Sequence, residues 1–190
     1  TRMCLDSLRL RTDEPYELIV VDNGSTDGTL DYLRAQPDVR LIENFENRGF
    51  PAAVNQGLAV ANGEQLLLLN TDTIVTTGWL RRMLDVLHSN PRIGLVGPTS
   101  NHVGSEQQIP VDYRHLNDLD GFAWTRHAQL IADNQPLIQE TNRLIGFCLL
   151  FRRSVLDAVG VLDERFGIGC YEDDDFCRRA QAVGFSAVIA

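Results

Sequence analysis

The amino-acid sequence predicts an α/β fold: a three-layer α/β/α sandwich with helices on both faces of a mostly parallel sheet. Three observations carry that expectation. Short apolar runs alternate with stretches of helical periodicity along most of the chain, the pattern of successive strand–helix units. The runs Leu18–Val21 and Leu66–Leu69 are apolar at every position, as strands buried on both faces require. A length of 190 residues, with 44% hydrophobic and 23% charged side chains, suits one domain with its own core.

The elements follow in order. Cys4–Leu10 reads as the tail of a helix, and Glu17–Asp22 as the first strand. Asn23–Gly28 supplies turn and N-cap chemistry, and Leu30 and Leu33 give a helical spacing that stops before Pro37. Val39–Glu43 reads as a strand, Pro51–Ala61 as a helix closed by Gly63, and Gln65–Asn70 as a strand built on four leucines. Gly78–Ser89 sets Trp79, Leu80, Met83, Leu84, Val86 and Leu87 on one face, an amphipathic helix. Ile93–Val96 is another strand. After Pro98 the pattern loosens: 99–114 is polar and turn-rich, and 115–134 is partly helical. Arg143–Phe151 returns as a strand, Ser154–Val159 and Tyr171–Val183 as helices, and Ser186–Ala190 as a strand. A parallel α/β domain normally begins on a strand that feeds its first helix. A sheet lacking its first strand is therefore expected, with Thr1–Leu10 as an opening helix.

Charge and motif content exclude several functions. Lys+Arg is 17 and Asp+Glu is 26, a net charge of −9, and every one of those cations is arginine. Such a balance disfavours nonspecific binding to nucleic acid or anionic membranes. No apolar run approaches the length of a membrane span, and no secretory signal pattern opens the chain. Cys4, Cys148, Cys170 and Cys177 show no C-x-x-C spacing and read as free cytoplasmic thiols. His88, His102, His115 and His127 lack metal-ligand spacing. Neither a G-x-G-x-x-G turn, a phosphate-binding P-loop nor a G-x-S-x-G elbow is present.

Three polar constellations remain. Asp22-Asn23-Gly24-Ser25-Thr26-Asp27 sits at the carboxyl end of a buried strand, where open α/β sheets bind ligands. Asp22 there suits hydrogen bonds from a ribose or base; the alternative is a plain turn in which Ser25 or Thr26 caps the next helix. Asn70-Thr71-Asp72 directly follows Leu66–Leu69, and a carboxylate at that strand end suits a hard divalent cation bridging phosphates. The alternative is an Asx-turn. Glu172-Asp173-Asp174-Asp175 precedes Phe176, and successive helical residues point about 100° apart, so four carboxylates in one turn have different tasks. Placement at a helix N-terminus explains the run electrostatically; a general base beside a metal explains it chemically.

The order of these constellations resembles the family-2 glycosyltransferases, inverting enzymes of the GT-A fold. The matching text is VVDNGSTDGT (20–29), ENRGFPAAVNQGLAVANGE (46–64), LLLNTDT (67–73), IGFCLLFRRSVLDAVGVLDERFG (145–167) and YEDDDFCRRAQAVGF (171–185). The resemblance implies a sugar transfer from a nucleotide-diphospho-sugar donor to a saccharide or glycoconjugate hydroxyl, with inversion. By position, it makes Asp173 the catalytic base with Glu172 beside it. It places Asp22, Asn23, Arg48, Asn55 and Asn70 around the nucleotide and Gly146 and Phe147 along the donor sugar and acceptor. It makes Asp72 the ligand of Mg²⁺ or Mn²⁺, with an amide, Asn70, where the family's D-x-D motif has its first carboxylate.

The resemblance further implies a single catalytic domain over 1–190, with 1–98 a nucleotide-binding half and 99–190 an acceptor-binding half. It implies a longer parent protein that is cytoplasmic, held at the inner face of the membrane by parts outside this chain, and engaged in polysaccharide synthesis. An exposed sheet edge implies self-association. Two other functions compete: a non-catalytic nucleotide-sugar-binding scaffold, and a sugar-1-phosphate nucleotidyltransferase, whose usual Gly-rich basic loop is not visible here.

Overall fold

Which way each strand faces is decided by how many of its sides are apolar. A computed structural model describes all 190 residues. The elements are α1 (Arg2–Arg11), β1 (Leu18–Asn23), α2 (Thr29–Arg34), β2 (Val39–Asn44), α3 (Phe50–Val60), β3 (Gln65–Leu69), α4 (Trp79–Ser89) and β4 (Ile93–Gly97). After them come α5 (Leu119–Ala132), β5 (Gln139–Thr141), β6 (Cys148–Arg152), α6 (Arg153–Val159), α7 (Glu172–Ala182) and β7 (Ser186–Ile189). Turns of 3₁₀ helix lie at Leu116–Asp118 and Glu164–Phe166.

Every residue of β4 is buried, and every residue of β6 except Arg152. Their side chains feed two cores. Leu66, Leu68, Leu95, Leu149 and Phe151 face one way, into Leu58 of α3, Val155 of α6 and Phe176 of α7. Val96, Cys148, Leu150 and Val188 face the other way, into Met83, Val86 and Leu87 of α4. A third cluster joins Cys4, Leu5 and Leu8 of α1 to Val20, Leu33 and Val75. Helices thus cover both sheet faces, the three layers expected.

The larger sheet has the order β3-β6-β4-β7-β5. β3, β4 and β7 run one way; β6 enters antiparallel between β3 and β4, and β5 is antiparallel to β7. β1 and β2 pair in parallel as a separate two-stranded sheet. No ladder joins β1 to β3, the break expected of a sheet short of one strand. Two apolar clusters bridge it: Leu69 and Trp79 pack against both the α4 core and the α1 core.

One strand boundary departs from expectation. The strand expected over Arg143–Phe151 starts only at Cys148. Before it, the N–H groups of Ile145 and Gly146 donate to side chains, Gln107 Oε1 and Asp173 Oδ2, each at 2.8 Å, and so leave the ladder. α5 has no buried residue. It is held by Asp120, which accepts from Arg11 Nε at 2.9 Å and from the Thr77 N–H at 2.8 Å. No helix is long and apolar enough to cross a membrane.

Candidate active site

β1 ends at Asp22 and Asn23, and the turn after it is organised by their side chains. Asp22 is 4% exposed; its Oδ1 accepts the Ser25 N–H at 3.1 Å, and its Oδ2 has no protein donor. Ser25 and Thr26 do not cap α2. That helix starts at Thr29 behind Gly28 at φ 82°, and Asp27 Oδ1 takes the Thr29 N–H. The turn reading of Asp22 therefore accounts for one of its oxygens only.

The Asn23 side chain is engaged within the protein. Its Nδ2 donates to Asn47 Oδ1 at 2.8 Å and Gly49 O at 3.2 Å, and its Oδ1 accepts from Asn44 Nδ2 and the Arg48 N–H. With two donors and two lone pairs all engaged, the amide builds the loop and has nothing left for a nucleotide. The loop it builds fixes the Arg48 backbone against Asn23, with the Arg48 side chain exposed and without a carboxylate partner.

That loop touches the far end of the chain. Gly49 sits at φ +87°, and a Cβ there would lie 2.1 Å from Gly167 O. Only glycine permits that approach. The Phe50 N–H then donates to Ile168 O at 2.9 Å. The Phe50 ring lies where a Cβ on Gly146 would meet it at 3.5 Å. Phe50 thus spans from the nucleotide side of the crevice to the acidic run, a role that an aromatic at a helix start does not announce in sequence.

The other wall comes from register. Leu69 pairs with Cys148, so the next residue, Asn70, donates its N–H to Phe147 O at 2.8 Å. Gly146, one residue back, donates to Asp173 Oδ2 at 2.8 Å. Asn70, Phe147, Gly146 and Asp173 are therefore one hydrogen-bonded series, with Asp72 exposed in the turn just beyond Asn70. The Asn70 side-chain amide has no protein partner.

The four carboxylates of α7 have four different surroundings. Glu172 is 5% exposed with Oε2 unpartnered, and burial first, then the charges of Asp173 and Asp174, push its pKa up. Asp173 is 9% exposed, with Oδ1 on the Asp174 N–H at 2.9 Å and Oδ2 on Gly146. Asp174 lies 2.8 Å from Arg143 Nε; burial raises its pKa and the arginine opposes that. Asp175 holds Arg179 at 2.7 Å, and Arg179 donates on to the carbonyls of Val159 and Val161. Phe176 is fully buried against Phe151, ring centroids 5.1 Å apart, which fixes how the turn faces. Ahead of the helix, Cys170 and Tyr171 adopt φ 95° and 72°, uncommon for residues with a Cβ.

The Asn55 side chain is engaged likewise. It is buried on α3, with Nδ2 donating to Leu162 O and Glu164 Oε1, both at 2.9 Å, and Oδ1 accepting the Leu162 N–H at 3.0 Å. Its amide pins the 160–164 segment to α3 instead of facing a nucleotide. Gln107 was not legible at all. It is fully buried, accepts from the Ile145 N–H and donates to Pro98 O, both at 2.8 Å, and so sets the residue that precedes Gly146.

The metal expectation can be tested on the donor set. No group of three or more His, Cys, Asp or Glu side chains stands ready as a protein cage. One exposed carboxylate, Asp72, and a free amide, Asn70, form the strand end. Mg²⁺-type ions are commonly held by one or two carboxylates together with substrate phosphates and water. The residues fit an ion that arrives with a diphosphate.

The family model of glycosyl transferase family 2 matches residues 1–160. The chain belongs to that family. Among curated family-2 relatives, an N-acetylglucosaminyl-diphospho-decaprenol L-rhamnosyltransferase of Mycobacterium tuberculosis is 31% identical over 206 residues, covering 97% of this chain and 67% of that protein. A poly-beta-1,6-N-acetyl-D-glucosamine synthase of Staphylococcus epidermidis is 26% identical and covers 77% of this chain and 35% of that protein. A mannosyltransferase from Pyrobaculum calidifontis, solved with GDP-Man and Mn²⁺, superposes with a TM-score of 0.69 at 22% identity. It covers all of this family-2 chain, which spans 50% of the solved one. GalNAc-T7, solved with UDP, GalNAc and Mn²⁺, gives a TM-score of 0.72 at 14% identity over 98% of this chain and 39% of its own. The fold is the GT-A fold that the sequence predicts.

Proposed function

We propose that this chain is the catalytic part of an inverting glycosyltransferase that moves a sugar from a nucleotide-diphospho-sugar to an acceptor hydroxyl. The observation that carries the reading is Asp173: a nearly buried carboxylate at a helix N-terminus, oriented by two backbone N–H groups and joined through Gly146, Phe147 and Asn70 to Asp72. A scaffold domain needs no such carboxylate.

Each residue has a task. Asp22 binds the base or ribose through its free Oδ2, and Arg48 meets the base or phosphate. Gly146 and Phe147 line the donor sugar, and their fixed backbone leaves Asp173 only one setting. Each Asp173 oxygen keeps a lone pair beyond its backbone bond, so it can accept the proton of an acceptor hydroxyl held within hydrogen-bond reach. Such general-base help is worth about 10²–10⁴-fold. A Mg²⁺ or Mn²⁺ ion held by Asp72 and the donor diphosphate would supply charge stabilisation of the leaving group. One base acting in a direct displacement inverts the anomeric carbon and needs no covalent nucleophile.

The names of the rhamnosyltransferase and of the poly-N-acetylglucosamine synthase both contain N-acetylglucosamine, which favours an acceptor ending in that sugar. The decaprenol in the rhamnosyltransferase's name favours an acceptor carried on a polyprenyl lipid. The halves 1–98 and 99–190 serve donor and acceptor respectively. The test is nucleoside diphosphate release from UDP-, GDP- and dTDP-sugars with octyl β-N-acetylglucosaminide as acceptor, with Mn²⁺ and with EDTA. Release from one donor, dependent on Mn²⁺ and lost in Asp173→Asn, is expected. Binding of a nucleotide sugar with no release from any donor under either condition would favour the scaffold function.

A further inference from the structure

Arginine carries all the fixed side-chain positive charge of this chain, against a net charge of −9. In so acidic a protein most inward-turned arginines meet a carboxylate or a carbonyl. Arg11 pairs with Asp120 and Arg179 with Asp175, while Arg152 and Arg153 donate to backbone oxygens. Arg82 is different. It is half-buried on α4, and it forms no ion pair with any carboxylate. Its side chain instead meets the ring of His127 on α5, Nη1 to Nε2 at 3.3 Å.

A guanidinium can only donate. His127 Nε2 must therefore accept, which leaves the ring neutral with its proton on Nδ1. Burial lowers the basicity of both groups, and the charge of Arg82 lowers that of His127 further. The acids on the neighbouring elements are engaged elsewhere or out of reach. Asp120 of α5 holds Arg11 and the Thr77 N–H, Glu14 holds Arg81 at 2.9 Å, and Asp85, exposed on α4, makes no ion pair. A partly desolvated cation thus faces a second basic group with no anion between them.

The frame is already set. Asp120 ties the first turn of α5 to α1 and to the residues just before α4, so His127, two turns on, is carried by a fixed helix. Trp79, three residues before Arg82 and about 4.5 Å away along the axis, donates to Thr12 Oγ1 at 3.0 Å. It packs against the same apolar cluster as Leu69 and Phe147 of the candidate active site.

We propose that Arg82 and His127 form a binding site for a phosphate-type anion, a phosphomonoester or a diphosphate. The planar guanidinium fork takes two phosphate oxygens at once. An anion that draws Arg82 away frees His127 Nε2 to take up a proton and donate to the same group. Binding therefore raises the His127 pKa. Two sources offer this chemistry: the diphosphate of a substrate, and the headgroup of a phospholipid.

The test follows the His127 ring signals of the 190-residue chain by NMR, assigned with His127→Gln, as inorganic pyrophosphate is added. EDTA is present so that no divalent ion carries pyrophosphate to the Asp72 crevice. Saturable movement of the His127 signals and a rise in its pKa are expected. Arg82→Gln should weaken pyrophosphate binding at least 10-fold at an unchanged melting temperature. Arg82→Lys, which keeps the charge without the fork, should fall between and stands in if the glutamine variant does not fold. Sedimentation with phosphatidylcholine vesicles, with and without phosphatidic acid, whose headgroup is a phosphomonoester, separates the sources. Capture by the anionic vesicles assigns a headgroup, and pyrophosphate binding without capture assigns a substrate diphosphate. His127 signals that ignore pyrophosphate, or equal affinity in wild type, Arg82→Gln and Arg82→Lys, would overturn the site.

Discussion

Replacing Asp173 with asparagine removes a base, but the structure gives the change a second consequence. Both carboxylate oxygens accept backbone N–H groups, Oδ2 from Gly146 at 2.8 Å and Oδ1 from Asp174 at 2.9 Å. An asparagine has one oxygen. Whichever way its amide turns, one of the two N–H groups faces an NH₂ and loses its bond. The side chain is 9% exposed, so water compensates poorly. Leaving a buried donor unsatisfied costs about 1–3 kcal/mol, and in a chain this size each kcal/mol lowers the melting temperature by about 2–4 °C. Asp173→Asn should therefore melt measurably earlier than wild type in a calorimetric scan, and transfer should fall by about 10²-fold or more. Asp174→Asn loses the ion pair with a half-exposed Arg143, outside the Gly146–Asp173 series, and should retain most activity. Two results would refute the reasoning: an Asp173→Asn protein as stable as wild type, or loss of transfer in Asp174→Asn but not in Asp173→Asn.

Four further outcomes are expected. Asp22→Ala should weaken nucleoside diphosphate binding by about 1–3 kcal/mol, the worth of a charged hydrogen bond, as read by calorimetry; unchanged affinity would leave Asp22 only its bond to Ser25. Asp72→Ala should abolish the gain in nucleoside diphosphate affinity that Mn²⁺ gives wild type, and an equal gain in both proteins would remove Asp72 from the metal site. Glu172 has its pKa raised in the folded state by burial, so its contribution to stability is fully present below the ordinary glutamate value of about 4.3 and is lost as pH rises through the raised one. Unfolding free energies of Glu172→Gln should accordingly gain on wild type between pH 4 and 8, whereas a constant difference would deny the shift. The unpaired edges of β1 and β3 should promote self-association, and a monodisperse monomer by light scattering would show those edges to be protected.

Much of this was legible in sequence because burial on both faces leaves a plain signature. Leu66–Leu69 and Ile93–Val96 are too apolar for strands with a solvent-facing side, although β3 proves to lie at the sheet edge, and α4 carried its apolar face openly. Asp22, Asp72 and Asp173 stood out as candidates because each follows such a strand or opens a helix, positions where a carboxylate calls for an explanation. What the Asn23 and Asn55 side chains hold was not legible, for one physical reason. An amide offers donors and acceptors alike, and sequence does not say whether the backbone of a distant loop, Gly49 or Leu162, already uses them. The start of β6 was misplaced because Gly146 leaves the ladder for a side chain 27 positions away. Gln107 lies in a stretch without periodicity. Its value comes from a fully buried amide bonded to Pro98 and Ile145, contacts that no local pattern encodes.

The central claim is that one carboxylate, Asp173, drives a direct displacement at the sugar carbon of a nucleotide-diphospho-sugar. The anomeric configuration of the transferred sugar tests it most directly. With the donor identified by nucleoside diphosphate release, proton NMR of the product should show the linkage opposite to that of the donor, and none of this product should form with Asp173→Asn. A product that retains the donor configuration would require a second nucleophile and would contradict the account.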